Sequence, residues 1–242
     1  MRESDVTFVA TVLELARYPV KSMRGEALPA ATLTLQGIPE DRRYAFVQAA
    51  SRSDFPWFTA RQLPEMLCYK PAVEVEGSGE IVVTVTTPGG EKWPVDSDEL
   101  RRELEERSSQ SLSLLRNGRG SYDAAPISII SRQTVARIAE ESATEANPWR
   151  FRPNLVVDLQ EGGAFEELNW VGRILRIGET ARIPIIKVDK RCVIITLDPE
   201  TAESSPGVLR CVAQEHANCA GVYGTVLTAG EVRPGDRVWL EG

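Results

Sequence analysis

Residues 7–20, TFVATVLELARYPV, largely alternate apolar and polar side chains before a proline interrupts them. A period of two is typical of a β-strand with one buried face. Four further runs are short, rich in β-branched or aromatic residues and mostly closed by Gly or Pro: ATLTLQG, RYAFVQ, KPAVEVEG and EIVVTVTTPGG. Strands at such short spacing favour a barrel or a sandwich over alternating strand and helix units. The sequence therefore predicts a mainly β fold.

Three short α-helices are predicted between the strands. The first covers residues 96–106, with Asp96 or Ser97 as its cap. The second covers residues 131–142, with Ser131 as its cap, and the third covers residues 207–214.

A turn-rich segment, RNGRGSYDAAP at residues 116–126, suggests a division of the chain. We place a boundary near residue 120. The prediction is an N-terminal β module, residues 1–119, packed on a mixed β module, residues 120–242.

Composition limits the classes of partner. The net charge of −7 argues against a nucleic-acid or anionic-membrane binder, because such partners need a basic face. The N-terminus shows no apolar stretch of signal-peptide length, and no run of ~18 apolar residues follows, so we expect a cytoplasmic protein.

Cysteine and histidine usage excludes several metal sites. The four cysteines include no C-x-x-C pair, which argues against a zinc ribbon or a cysteine-bound iron–sulfur cluster. One histidine, His216, rules out a multi-histidine site. Because it stands among polar residues, His216 is interpreted as a surface or capping residue. Cys211, beside Val208 and Leu209 in the third predicted helix, is interpreted as a core residue.

Two N-terminal segments have the composition of anion-binding loops. In RYPVKSMRGE, residues 17–26, Lys21 and Ser22 lie where a strand stops alternating, and they offer an ammonium and a hydroxyl for a phosphate. In GIPEDRRYAFV, residues 37–47, either Arg42 or Arg43 must face inward and pair with an anion. The alternatives are a solvated bend for the first segment and a structural ion pair for the second.

A third cationic segment is NPWRFRPNLVVDL, residues 147–159. Read as a strand, it places Arg150, Arg152 and Asn154 on one face. Two guanidinium groups on one face repel unless an anion or water separates them. The segment therefore indicates a phosphate or oxyanion site, with a solvated edge strand as the alternative.

The segment VDKRCVIITLDPET, residues 188–201, contains the candidate reactive thiol. Read as a strand, it places Lys190 and Cys192 on one face and Arg191 on the other. Nearby cations favour the thiolate form of a cysteine, which is both nucleophile and metal ligand. The alternative is an inert, buried thiol, since cysteine is also a common core residue.

Taken in order, nine segments of the chain resemble the MOSC family, which is named for the C-terminal domain of molybdenum cofactor sulfurases. They look like members in which an N-terminal β-barrel domain precedes the MOSC domain. The nine segments are YPVKSMRGE, GIPEDRRYAFV, TARQ, DAAPISII, RFRPNLVVD, NWVGRILRIG, KRCVIITLDPET, GVYGTV and GEVRPGDRVWL.

The resemblance implies a mixed β-barrel that binds the molybdopterin form of the molybdenum cofactor. In members resembling the amidoxime-reducing component, the metal ligand corresponds to Cys192. Tyr223 corresponds to a tyrosine near the metal, with an orienting or proton-donating role. The positions implied to hold the cofactor are Lys21, Ser22, Arg42, Arg150, Arg152 and Asn154.

The activity implied by the resemblance is an oxidoreductase acting on N-oxygenated or similar small substrates. Because no iron–sulfur cysteine set is present, a separate flavin or iron–sulfur protein is expected to supply electrons. Two alternatives stay open. Cys192 could carry a persulfide for sulfur transfer, or the chain could bind molybdopterin without catalysing a reaction.

Overall fold

The computed structural model describes residues 6–49, 55–77 and 79–241. Its strands, numbered in chain order, are β1 (Val6–Arg17), β2 (Glu26–Ala27), β3 (Ala31–Leu33), β4 (Tyr44–Gln48), β5 (Lys70–Val75), β6 (Ile81–Thr86), β7 (Lys92–Pro94), β8 (Leu112–Arg116), β9 (Ile127–Ser131), β10 (Leu155–Leu159), β11 (Ile174–Ile177), β12 (Ala181–Lys190), β13 (Cys219–Gly224), β14 (Gly230–Val232) and β15 (Arg237–Glu241). The helices are α1 (Asp98–Ser108), α2 (Arg132–Ser142) and α3 (Pro206–Glu215). Short 3-10 turns cover Pro64–Cys68, Pro148–Phe151, Glu166–Trp170 and Val193–Thr196.

A closed β-barrel forms the centre of the molecule. Its strands follow one another in the order β1, β10, β9, β13, β12, β11 and β15, and β15 pairs with β1 to complete the ring. The strand β1 supplies the closure because it is long enough to pair with a neighbour on each side. Its register shifts between Phe8 and Ala10 and between Val12 and Glu14, and such irregularities let a strand bend around a barrel. The predicted mainly β fold with a few short helices is confirmed.

The barrel interior is filled by side chains from alternate positions of its strands. On β12 the inward residues Ala181, Ile183 and Ile185 are buried, whereas Ile186 is 47% exposed. Because each strand contributes branched apolar side chains in this way, the interior is a packed core.

The N-terminal part of the chain builds a second core beside the barrel. The pair β4–β8, the meander β5–β6–β7 and helix α1 surround this core. Val20, just after β1, bridges to Tyr44 of β4 and joins this region to the barrel strand. Strand β1 itself lies in the barrel with strands from the C-terminal half, and the boundary near residue 120 stays a prediction.

The capping residues predicted for α1 and α2 are confirmed, and α3 lies close to its predicted range. Ser97 accepts a hydrogen bond from the Leu100 backbone N–H, so α1 begins two residues later than expected. Ser131 accepts one from the Thr134 backbone N–H at the start of α2. Helix α3 extends one residue beyond the predicted range at each end.

Two predicted strand segments are wrong. Pro148–Phe151 is a 3-10 turn and Arg152 has φ of 54°, because prolines at positions 148 and 153 cannot donate to a strand ladder. Arg150 and Arg152 therefore do not share a strand face. Likewise β12 ends at Lys190, and Cys192 lies at the start of the turn Val193–Thr196.

Among the residues that the structure describes, no helix combines the length and the apolar character needed to cross a lipid bilayer. The expectation that the N-terminus carries no signal peptide rests partly on residues 1–5, which lie outside the described residues.

We expect Ile183→Ala to lower the free energy of unfolding by about 2 to 5 kcal/mol, because it opens a cavity in the barrel core. The matched control is Ile186→Ala on the same strand, where the side chain is 47% exposed and the expected loss is about 1 kcal/mol or less. Urea unfolding monitored by tryptophan fluorescence measures both. Equal losses for the two variants would contradict the assignment of the strand faces.

Candidate functional site

A cavity of about 310 Å³ opens where one end of the barrel meets the N-terminal region. Its volume falls within the usual range for a small-molecule site. Two carboxylates, Asp123 and Asp189, line it together with Cys192 and Tyr223. Six basic side chains also line it: Lys21, Arg42, Arg61, Arg152, Lys190 and Arg191. An excess of cations in a chain of net charge −7 points to an anionic ligand.

Three of the lining residues have left-handed backbone conformations that are uncommon outside glycine. Ser22 has φ of 66°, Arg42 of 52° and Arg152 of 54°. Such conformations cost free energy, and in folded proteins they cluster at functional sites. Each one turns the chain sharply, so that residues following β1, preceding β4 and preceding β10 meet at one cavity.

Lys21 is held deep in the wall of the cavity. Its ammonium donates to the Ser121 carbonyl at 3.0 Å and to Asp123 Oδ1 at 2.6 Å. Burial lowers the pKa of Lys21, against the raising effect of Asp123. The turn-rich segment between β8 and β9 thus supplies the counter-ion that keeps this lysine in place.

The guanidinium of Arg42 is fixed by its neighbours. Nη1 donates to Asp41 Oδ2 at 2.5 Å, and Nη2 donates to the Arg152 carbonyl at 2.9 Å. Asp41 is fully buried and also accepts from the Tyr18 backbone N–H at 2.7 Å. The neighbouring Arg43 instead donates to the Gly118 carbonyl, so Arg42 is the arginine of this pair that faces the cavity.

Arg152 carries a charge that the described residues leave without a carboxylate partner. Its Nη1 donates to the Met23 carbonyl at 2.6 Å, and its guanidinium carbon lies 4.4 Å from the centre of the Tyr18 ring. Burial lowers the pKa of Arg152 to about 10, and the charge of Arg42 adds to this effect. An anion in the cavity would relieve both penalties.

Cys192 is half-buried and lines the cavity, and it directly follows the buried residue Arg191. The Arg191 guanidinium pairs with Asp189 at 2.9 Å and donates to the Phe151 carbonyl at 2.9 Å and the Ala220 carbonyl at 2.7 Å. These contacts fix the backbone at residue 191. The thiol of the next residue is therefore placed at the cavity by a buried ion pair.

Tyr223 reaches the cavity from β13, opposite Ser128 of β9 and Lys187 of β12. Its ring lies close enough to Asp189 for the carboxylate charge to act on the phenol, and Asp189 accepts a hydrogen bond from Ser128 Oγ at 3.3 Å. Burial raises the pKa of Asp189. Burial, and then the Asp189 charge, also raises the pKa of Tyr223, so this phenol keeps its proton at neutral pH.

Two of the predicted cofactor-binding residues do not line the cavity. Arg150 donates to the carbonyls of Ile195 at 3.4 Å and Thr196 at 3.2 Å, and so braces the turn that follows Cys192. Asn154 donates to Asp41 at 3.1 Å and to the Ala16 carbonyl. Their cofactor-binding roles stay predictions. The predicted residues that the structure brings together at the cavity are Lys21, Ser22, Arg42, Arg152, Cys192 and Tyr223.

Sequence reasoning missed the roles of both acidic lining residues. Asp123 stands in the DAAP segment and Asp189 two residues before Arg191, yet nothing in either local pattern reveals their partners. A signal was available for Asp189, because alternation along β12 predicts that it shares the buried face of Ile183 and Ile185.

The comparisons with known proteins agree with this architecture. The model of the MOSC domain matches residues 117–239, and that of the MOSC N-terminal beta barrel domain matches residues 9–127. The chain belongs to the MOSC family.

Relatives with curated names are similar at modest identity. A molybdenum cofactor sulfurase of Drosophila grimshawi is 25% identical over 84% of this chain, which spans only 30% of that protein. The mitochondrial amidoxime reducing component 2 of Bos taurus is 24% identical over 96% of this chain and 83% of its own length. The crystal structure of the YuaD protein from Bacillus subtilis shares the fold, with a TM-score of 0.54 and 14% identity over 99% of both chains.

Inorganic pyrophosphate should stabilise the protein through this cavity. At one hundred times its Kd, a ligand specific for the native state adds about 2.7 kcal/mol, and each kcal/mol raises Tm by about 2 to 4 °C in a chain of this size. We expect Arg152→Ala to remove more than half of the rise in Tm, measured by scanning calorimetry. Arg176→Ala, on β11 away from the cavity lining, should retain the full rise. An equal loss in both variants would contradict an anion site at Arg152.

Proposed function

We propose that this protein binds the molybdenum cofactor in the cationic cavity, with Cys192 as a ligand of the metal, and reduces N-oxygenated small molecules there. The observation that carries the proposal is the position of a half-buried cysteine at the edge of a cavity lined by six basic side chains. A soft thiolate suits molybdenum, and the cations suit the phosphate of the pterin. The MOSC family membership supports the same cofactor.

The donor set fits the cofactor in charge and in size. Lys21, Ser22, Arg42 and Arg152 would hold its phosphate, and Arg152 in particular lacks a carboxylate partner among the described residues. A second cavity of about 260 Å³ shares Arg152 and includes Trp149 in its lining. The two cavities support a ligand longer than a phosphate ion. When bound, the molybdenum group supplies two-electron redox chemistry.

The reaction proposed at this site consumes two electrons and two protons. The N–O bond of an N-hydroxylated substrate breaks, the hydroxyl oxygen takes one proton and leaves as water, and the nitrogen gains the other proton. Tyr223 is the proposed proton-bearing group, because burial and the nearby Asp189 charge raise its pKa and its hydroxyl keeps the proton at neutral pH. The carboxylate orients the phenol, and Arg191 and Ser128 orient the carboxylate.

A separate flavin or iron–sulfur protein is included in the proposal as electron donor. The four cysteines of this chain do not have the clustered spacing that an iron–sulfur centre needs. The electrons for the reaction would therefore come from that separate protein.

A second candidate is sulfur transfer through a persulfide on Cys192. It is favoured by the likeness to a protein named molybdenum cofactor sulfurase, of which this chain spans 30%. The same cationic cavity would stabilise the sulfur anion, and no permanently bound metal is needed.

Elemental analysis tests the two candidates. We expect about one molybdenum per chain in protein produced in a host that makes the cofactor, and its loss in Cys192→Ala. The control is Cys68→Ala, since Cys68 is also half-buried but lies outside this cavity.

Each other outcome identifies a different function. Metal-free wild type with cyanide-labile sulfur on Cys192 would replace the proposed reductase by the sulfur carrier. Molybdenum retained in Cys192→Ala, with a wild type that does not reduce an N-hydroxylated amidine using reduced methyl viologen, would indicate cofactor binding without catalysis.

Tyr223→Phe tests the proton-donating role. Loss of a general acid slows a reaction by roughly 10² to 10⁴-fold, so we expect a fall in kcat of at least about 10²-fold with KM and molybdenum content unchanged. Steady-state kinetics with the N-hydroxylated amidine measures both constants. Tyr44→Phe, a buried tyrosine of the second core, is the control and should leave kcat unchanged. A Tyr223→Phe variant with wild-type kcat would remove Tyr223 from the mechanism.

A further inference from the structure

A second cluster of chemically reactive side chains lies at the junction of α2 and α3. Glu141 stands in the last turn of α2, Cys211 lies in α3, and His216 caps the end of α3. The carboxylate is 70 residues from the cysteine and 75 from the histidine along the chain. Packing of the two helices through Val135, Ile138, Val208 and Val212 brings the three together.

The ligand atoms converge on one carboxylate oxygen. Glu141 Oε2 is 2.5 Å from His216 Nε2 and 3.3 Å from Cys211 Sγ. All three atoms lie within 4.8 Å of one another. A tetrahedral zinc site, with bonds of about 2.0 to 2.3 Å, places neighbouring ligand atoms about 3.3 to 3.8 Å apart. Small side-chain rotations therefore convert this cluster into a coordination geometry.

We propose that Glu141, Cys211 and His216 bind a zinc ion, with water as the fourth ligand. A thiolate, an imidazole and a carboxylate are the three kinds of protein ligand that zinc takes. A thiolate sulfur combined with an imidazole nitrogen favours zinc over magnesium or calcium, which prefer oxygen ligands alone. None of the three residues lines the cationic cavity, so the site is separate from the one proposed for molybdenum.

The surroundings hold two of these ligands in position. The His216 ring stacks on Phe165, with centroids 3.9 Å apart and planes at 23°. Arg137 lies 3.8 Å from the other oxygen of Glu141, Oε1, which leaves Oε2 directed at the cysteine and histidine. Groups behind the ligands commonly orient them in this way in metal sites.

The thiol must lose its proton to bind the metal. Burial, with Glu141 and Glu215 nearby, raises the pKa of Cys211 to about 11. Zinc binding would displace this proton.

Such an ion would join α2 to α3 at the surface. Helix α3 packs on the turn Val193–Thr196, which follows Cys192 directly. Bound there, the ion would hold in place the helix behind the candidate metal-binding cysteine.

The test is a cobalt titration of the full chain after chelator treatment, with the thiols kept reduced. Tetrahedral Co²⁺ bound to a thiolate gives a near-ultraviolet charge-transfer band and strong visible bands. We expect both in wild type, saturating at a single ion per chain, displaced by Zn²⁺ and absent in Cys211→Ser. His216→Gln and Glu141→Gln should weaken Zn²⁺ binding at least ~10-fold, as loss of a ligand does.

Matched cysteine variants make the test specific. Cys68→Ser and Cys192→Ser should keep the bands, since neither thiol belongs to the cluster. Absence of the bands in wild type, or their loss in Cys192→Ser and not in Cys211→Ser, would overturn the proposal. If Cys211→Ser fails to fold, the histidine and glutamate variants decide, and unchanged zinc affinity in both would overturn it.

Discussion

The buried guanidinium of Arg191 is the contact on which the candidate site depends. It joins the end of β12, through Asp189, to the Ala220 carbonyl of β13 and to the Phe151 carbonyl. A buried charge of this kind is tolerated only when it is paired and fully hydrogen-bonded. Removing any one partner would leave a desolvated charge, so the three segments are fixed together. The cysteine that follows has its position set by electrostatics more than by a strand ladder.

The same principle organises the rest of the cavity wall. Asp41, Asp123 and Asp189 each neutralise one neighbouring cation, and each comes from a different part of the chain. The fold thus concentrates positive charge in one place while the protein as a whole is acidic. Arg152 is one of the lining cations outside this pairing, and burial, together with the charge of Arg42, lowers its pKa.

Sequence patterns correctly predicted those features of the fold that depend on residues adjacent in the chain. Period-two alternation found β1, and capping serines found α1 and α2, because strand faces and helix ends depend on adjacent residues. The same alternation failed at Arg150 and Arg152, where two flanking prolines replace the strand by a turn. His216 was interpreted as a surface or capping residue, and it does cap α3. Cys211 was interpreted as a core residue, but it is only half-buried and contacts Glu141. The contacts of both residues with Glu141 were not predicted, because Glu141 comes from a distant helix and no spacing in the sequence encodes that helix packing.

Closure of the barrel through β1 has a consequence for how the protein is made. Val6 pairs with Glu241, so the ring stays open until the last strand has been synthesised. Lys21 and Ser22 follow β1, and their neighbours across the cavity come from β12 and β13. Contacts of such long sequence separation form slowly. The barrel and the cavity beside it are therefore completed only by contacts between segments that lie far apart in the sequence, so a fragment that lacks either β1 or β15 would leave the ring open.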